Sequence, residues 1–92
     1  MSAQFQLLEF TTDTKTYSQA GDIYRDEKVL GYHIINTGTV IAYINNTILY
    51  PSGVLDTMYS GYKDKSKYSI KFDTTVQPVL DPEITVITFN QV

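Results

Sequence analysis

The chain has no cysteine and no tryptophan. Without cysteine, neither a disulfide nor a thiolate metal site can reinforce the fold. That absence also agrees with synthesis in a reducing cytoplasm. There is one histidine, His33, and one arginine, Arg25. No nucleophile–base pair can be assembled from such material, so no enzymatic activity is expected. His33 falls inside a strand-like stretch, where a structural role is the ordinary one. Cations are scarce: seven Lys and Arg stand against ten Asp and Glu, for a net charge of −3. The one basic cluster, Lys63, Lys65, Lys67 and Lys71, is interleaved with Asp64 and Asp73. It reads as a solvated strand face that guards a sheet edge. It does not read as a phosphate-binding patch, and no nucleic-acid partner is expected.

Long apolar runs are also missing. None approaches the ~18–20 residues that span a bilayer. The start, Met1-Ser2-Ala3-Gln4-Phe5, has neither the basic nor the apolar stretch of a signal peptide. No membrane partner is expected. Asn45-Asn46-Thr47 is formally a glycosylation sequon but reads as turn chemistry. Gly21, Gly31, Gly38, Gly53 and Gly61 are isolated, as turn residues are, and form no phosphate cradle. Asp13, Asp22, Asp26, Glu27 and Asp56 match no Ca²⁺-loop spacing. No metal and no cofactor is expected.

What remains is strand material. Threonine, isoleucine, valine, tyrosine and phenylalanine make up 40 of the 92 residues. Strong helix formers number only 26, an imbalance that favours strands almost throughout. The length suits one domain, residues 1–92, whose core is thin: a chain this size buries roughly 60–65% of its unfolded surface. Charged residues are 18% of the chain, below the usual ~25%.

Turn signals every 8–12 residues or so predict six or seven short strands. Strands are predicted at residues 5–11, 31–36, 39–44, 47–50, 54–59, 67–72 and 83–89, with Thr12-Asp13-Thr14-Lys15 as a turn. Tyr68, Ile70 and Phe72 alternate with Lys67, Ser69 and Lys71, the pattern of a half-buried antiparallel strand. Pro78 and Pro82 bracket a stretch unsuited to a long regular element. The fold class expected is all-β: a small antiparallel β-sandwich, immunoglobulin-like or jelly-roll-like.

Residues 14–30 are the least patterned. Single apolar residues, among them Tyr17, Ile23 and Tyr24, recur there without a firm period, with a short strand possible near Ile23-Tyr24. The segment is either a meandering loop with one edge strand or an extended arm. Fully extended it would span roughly 55 Å, far beyond a compact body of about 12 Å radius of gyration. As an arm it would dock on a neighbour through Tyr17, Ile23 and Tyr24.

Asn45-Asn46 predicts a two-residue hairpin loop. That register sets Ile44 opposite Thr47, Tyr43 opposite Ile48, Ala42 opposite Leu49 and Ile41 opposite Tyr50. Ala42, Ile44 and Leu49 then share one face; Ile41, Tyr43, Ile48 and Tyr50 share the other. A hairpin on the outside of a monomeric sandwich has one polar face, and this one has none. Either the rest of the chain covers both faces, or the Ile41/Tyr43/Ile48/Tyr50 face meets another protein. Eight tyrosines, with Tyr24, Tyr59 and Tyr62 flanking turns, also allow a sugar-binding platform, although such platforms commonly use tryptophan as well.

The run from Asn36 to Gly53 resembles a pattern of small all-β virion proteins of tailed bacteriophages. In that pattern an N-x-G-T strand start leads to an A-x-I-N-G hairpin and an L-x-P-G turn. Asn36, Gly38, Thr39, Ala42, Ile44, Asn45, Leu49, Pro51 and Gly53 follow it. Asn46 stands where glycine is commoner, and Ser52 separates Pro51 from Gly53. The composition is similar to that of crAss-like phages. The resemblance implies a virion protein made in the host cytoplasm, with the major capsid protein or other virion proteins as partners and many copies per particle. It carries over no catalytic residue. A capsid-decorating role is expected first; a head–tail connector or fibre-attachment component and a carbohydrate-binding host-recognition module are the alternatives.

Overall fold

The structure, a computed structural model, describes residues 10–58, 65–75 and 81–92. Eight strands follow in order: β1 Phe10–Tyr17, β2 Gly21–Asp22, β3 Val29–Asn36, β4 Ala42–Ile44, β5 Thr47–Leu49, β6 Val54–Asp56, β7 Ser69–Phe72 and β8 Ile84–Gln91. They form two antiparallel four-stranded sheets, β1-β8-β3-β6 and β2-β7-β4-β5. Pairing 1 with 8, 2 with 7, 3 with 6 and 4 with 5 describes one long antiparallel ribbon. Rolled up, that ribbon deals its successive pairs alternately to the two sheets, which is the jelly-roll arrangement. Of the two sandwich types expected, the strand order selects this one.

Alternation builds the core. In β3 Tyr32, Ile34 and Asn36 point inward and His33 and Ile35 outward. A register shift between Val29 and Gly31 against β8 restores Val29 to the inner side. The extra residue, Leu30, is what a bulge adds to one strand only. In β8 Ile84 and Val86 are inward. They meet Ile23, Ala42, Ile44, Leu49 and Ile70, with Tyr17, Leu55, Tyr68 and Phe72 packed around them. Ile70 and Phe72 thus line the inside of β7, with Tyr68 just before it on the same side, as their alternation predicts.

One corner is closed by a buried polar side chain. The Asn36 amide donates to the carbonyls of Val40 and Leu49, each at 2.8 Å. Its Oδ1 accepts from the Gly38 N–H at 3.1 Å. Asn36 N donates to Gly53 O, and Ser52 N donates to Asn36 O. Gly38 is forced: a Cβ there would collide with Asp81 O and Glu83 N. The turn at Tyr50-Pro51-Ser52-Gly53 closes through Gly53 N to Tyr50 O at 2.7 Å.

Several expectations change. There is no turn at Thr12-Asp13-Thr14-Lys15; these residues are the middle of β1, because β8 supplies a partner for every one of them. Of the strand expected at residues 5–11, only Phe10 and Thr11 are described, both in β1. Residues 14–30 are no single arm. Residues 14–17 pair with β8, Gly21 and Asp22 pair with β7, and 29–30 belong to β3. The short strand falls at Gly21–Asp22 rather than at Ile23-Tyr24. β4 begins at Ala42 instead of residue 39; Thr39 N bonds to Asp81 O, and the Val40 carbonyl accepts from the Asn36 amide.

Candidate functional site

The hairpin register is the one that its Asn45-Asn46 loop predicts: Ala42 opposite Leu49, Tyr43 opposite Ile48, Ile44 opposite Thr47. Asn45 takes left-handed backbone, with φ 53°. Its side chain also extends the ladder to the next strand. Oδ1 accepts from Ser69 N at 3.0 Å and Nδ2 donates to Lys67 O at 3.1 Å. Asparagine is suited to the site twice over, by conformation and by an amide that imitates a peptide group.

The outer face of this sheet therefore carries Tyr43 between Ile48 on β5 and Lys71 on β7. Ile48 is 51% exposed and Tyr50, just beyond β5, is 61% exposed. Ile41 and Tyr43 are half-buried. Ile41 and Tyr50 are not ladder partners, because pairing ends at Ala42 and Leu49. The patch is apolar and aromatic, and Lys71 is the cation beside it.

The second group of expected contact residues is split. Ile23 is 5% exposed and belongs to the core, its N–H bonded to Tyr68 O at 2.9 Å; packed there, it has no side-chain surface to offer a partner. Tyr17 is half-buried against the core, and its hydroxyl accepts from Tyr24 N at 3.3 Å. Tyr24 is 66% exposed, while its carbonyl accepts from the buried Tyr32 hydroxyl at 2.9 Å. Tyr17 and Tyr24 border a cleft of about 510 Å³ between the inner side of β1 and residues 24–29. Asp13, Lys15, Asp26, Lys28 and Asn90 also line it. Asn90 donates to Asp13 across the mouth at 3.0 Å. Tyr59 and Tyr62 lie outside the described residues.

A second apolar surface had no counterpart in the sequence reading. On the outer face of the other sheet, Phe10 stacks against Phe89 at 5.5 Å with the rings tilted by 59°. Register places Thr12 beside Phe89, Thr14 beside Ile87, His33 beside Ile87 and Asp56, and Ile35 beside Val54. Phe10 and Val54 are each 51% exposed. The signal was present as the odd-numbered apolar residues Ile35, Ile87 and Phe89, which sit out of phase with the core set.

Polar chemistry is dispersed. His33 Nδ1 lies 3.8 Å from Asp56 Oδ2, a surface cross-strand pair. Asp26 and Asp56 accept from the backbone N–H two residues on, those of Lys28 and Met58, each at 2.8 Å, as turn aspartates do. Among the described residues, no three His, Cys, Asp or Glu side chains stand close enough to hold a metal ion. Lys65, Lys67 and Lys71 are exposed, and Lys63 lies outside the described residues. No helix among the described residues is long and apolar enough to cross a membrane.

Comparison with family models, with curated proteins and with solved structures finds no match to this chain.

Proposed function

We propose that the chain is a non-enzymatic virion protein of a tailed bacteriophage, an auxiliary protein that decorates the capsid by binding the major capsid lattice. The observation that carries this reading is the outward face of the β4–β5 hairpin. Tyr43, Ile48 and Tyr50 form an apolar, aromatic patch there, with half-exposed Ile48 and Tyr50 leading. Large aromatic and aliphatic side chains on a rigid strand surface suit protein contact, since little conformational entropy is lost when they are covered. The Asn36-to-Gly53 run supplies the phage connection through its resemblance. Jelly rolls serve in viral capsids and in lectins, an analogy of architecture that supports the reading.

The mechanism is mechanical. Copies bound at symmetry-related sites bridge neighbouring capsid subunits and add buried area against internal pressure. Repetition lets a modest affinity per copy suffice. Ile41, Tyr43, Ile48 and Tyr50 form the contact.

Quantitative composition of native particles tests this directly. A decoration protein is present in hundreds of copies, and a connector or fibre-attachment component in about a dozen, as follows from the symmetry of lattice and ring. Absence from particles overturns both. A second reading, carbohydrate binding in host recognition, is favoured by the Tyr17/Tyr24 cleft with its carboxylates and amide. Saturable quenching of tyrosine fluorescence by glycans, without any capsid, would select it.

A further inference from the structure

β1 is an eight-residue strand whose residues are exposed except for the half-buried Tyr17. It is nevertheless in register with β8 along its whole length, from Phe10 opposite Gln91 to Tyr17 opposite Ile84. It is terminal in its sheet, and no described strand pairs with its other side. A long terminal strand presents a row of N–H and C=O groups on which a further strand can form.

The middle of that strand reads Thr12-Asp13-Thr14-Lys15-Thr16. Reversed about Thr14, threonine falls on threonine and the acid falls on the base. We infer that β1 pairs antiparallel with β1 of a second copy of this chain, on a two-fold axis at Thr14. The two four-stranded sheets then become one sheet of eight. Thr14 faces its own counterpart and Thr12 faces Thr16 of the other copy. Asp13 of each copy lies directly opposite Lys15 of the other, twice by symmetry.

Three observations support a second copy rather than an unrelated strand. The complementarity is internal to the segment, so the matching partner is the same segment. The charges select one register: moving the axis to residue 13 sets Asp13 against Asp13, and moving it to residue 15 sets Lys15 against Lys15. Opposite charges directly across a pair stabilise it and like charges destabilise it. Both side chains are also already held on one face of β1, together with Tyr17, by its register with β8. The Asn90 amide contacts Asp13 at 3.0 Å, and the Lys15 ammonium stands 5.1 Å from the centre of the Tyr17 ring. A carboxylate accepts several hydrogen bonds, so Asn90 leaves Asp13 able to meet a lysine. The pairing is isologous and closes as a dimer.

Sedimentation equilibrium of the full chain tests it, without reference to any virion. The expected mass at micromolar concentration is twice the 10.4 kDa of the chain, with dissociation promoted by salt. D13K, which opposes lysine to lysine, and K15D, which opposes acid to acid, each weaken the dimer by about tenfold or more. Both positions are exposed, and circular dichroism should show unchanged strand content. An equimolar mixture of D13K and K15D restores every opposite-charge pair and forms a heterodimer near wild-type affinity; the double swap D13K/K15D restores the homodimer. A chain that stays monomeric up to millimolar concentration overturns the inference. So does a dimer that both single variants leave intact, or a mixture that fails to recover.

Discussion

The side-chain amide of Asn36 and the carbonyl of Leu49 meet at 2.8 Å across the corner between the two sheets. The same amide reaches Val40 O, and its carbonyl takes the Gly38 N–H. Asn36 is 1% exposed, so water cannot replace these bonds. Asn36→Leu should therefore destabilise the protein by roughly 2–4 kcal/mol, because it strands two buried acceptors, while the Gly38 N–H keeps its bond to Glu83 O. Urea unfolding should show a lowered midpoint with an unchanged slope. Asn36→Asp should be no milder, since a carboxylate cannot donate to either carbonyl.

Two glycines should part company. Gly38→Ala drives a Cβ into the backbone at Asp81 and Glu83, whereas a Cβ at Gly21 meets nothing within 4 Å. Gly38→Ala should lower the thermal midpoint substantially. Gly21→Ala should leave it unchanged or raise stability by about 0.4–1 kcal/mol through the unfolded chain. Paired calorimetric scans distinguish the outcomes, and equal losses at both sites would contradict the close approach at Gly38.

Asn45 performs two tasks that substitution can separate. Asn45→Gly keeps the positive φ of 53° but removes the bonds to Ser69 N and Lys67 O. Asn45→Ala loses both. Glycine should cost about 1 kcal/mol and alanine about 2, from one lost exposed hydrogen-bonded bridge and from added backbone strain. Equal unfolding midpoints for the two variants would mean that the conformation contributes nothing.

Asp73 offers the pH dependence. The Thr75 hydroxyl at 2.6 Å, and then the Thr75 backbone N–H at 2.9 Å, hold its carboxyl below the ordinary value of 3.8. A carboxyl whose folded value is depressed stabilises the fold above its unfolded value and loses that contribution as pH falls through the folded one. The loss of stability is therefore confined to pH below about 3.8. Carboxyl chemical-shift titration should show Asp73 moving toward the ordinary value in Thr75→Val.

The outer and inner sides of the hairpin should respond oppositely to charge. Ile48, 51% exposed, should accept glutamate within about 0.5 kcal/mol, whereas Ile44, 1% exposed, should not. If the hairpin face carries the contact, I48E and Y43E fold yet fail to bind particles. Retained binding by both variants would move the contact elsewhere, for which the Phe10/Phe89 face is the next candidate.

The sequence by itself determined the class, the hairpin and its faces. Those features depend on short-range terms: β-branched content, period-two alternation at residues 67–72, and an Asn-Asn loop that sets the register of its own neighbours. It did not determine β1. Thr12-Asp13-Thr14-Lys15 has turn-forming composition, and only β8, more than seventy residues away in sequence, makes it a strand. The place of Ile23 was likewise undecidable locally, since a lone apolar residue between polar neighbours reveals no face until the sheet closes over it. Asn36 looked like the first residue of a motif and proved to be the polar pin of a corner, because its partners arrive from the connection before β4 (Val40) and from β5 (Leu49). The strand order 1-8-3-6 and 2-7-4-5 is the tertiary structure's own decision. Strands with similar patterns are interchangeable to local physics, and long-range pairing around a shared core chooses among them.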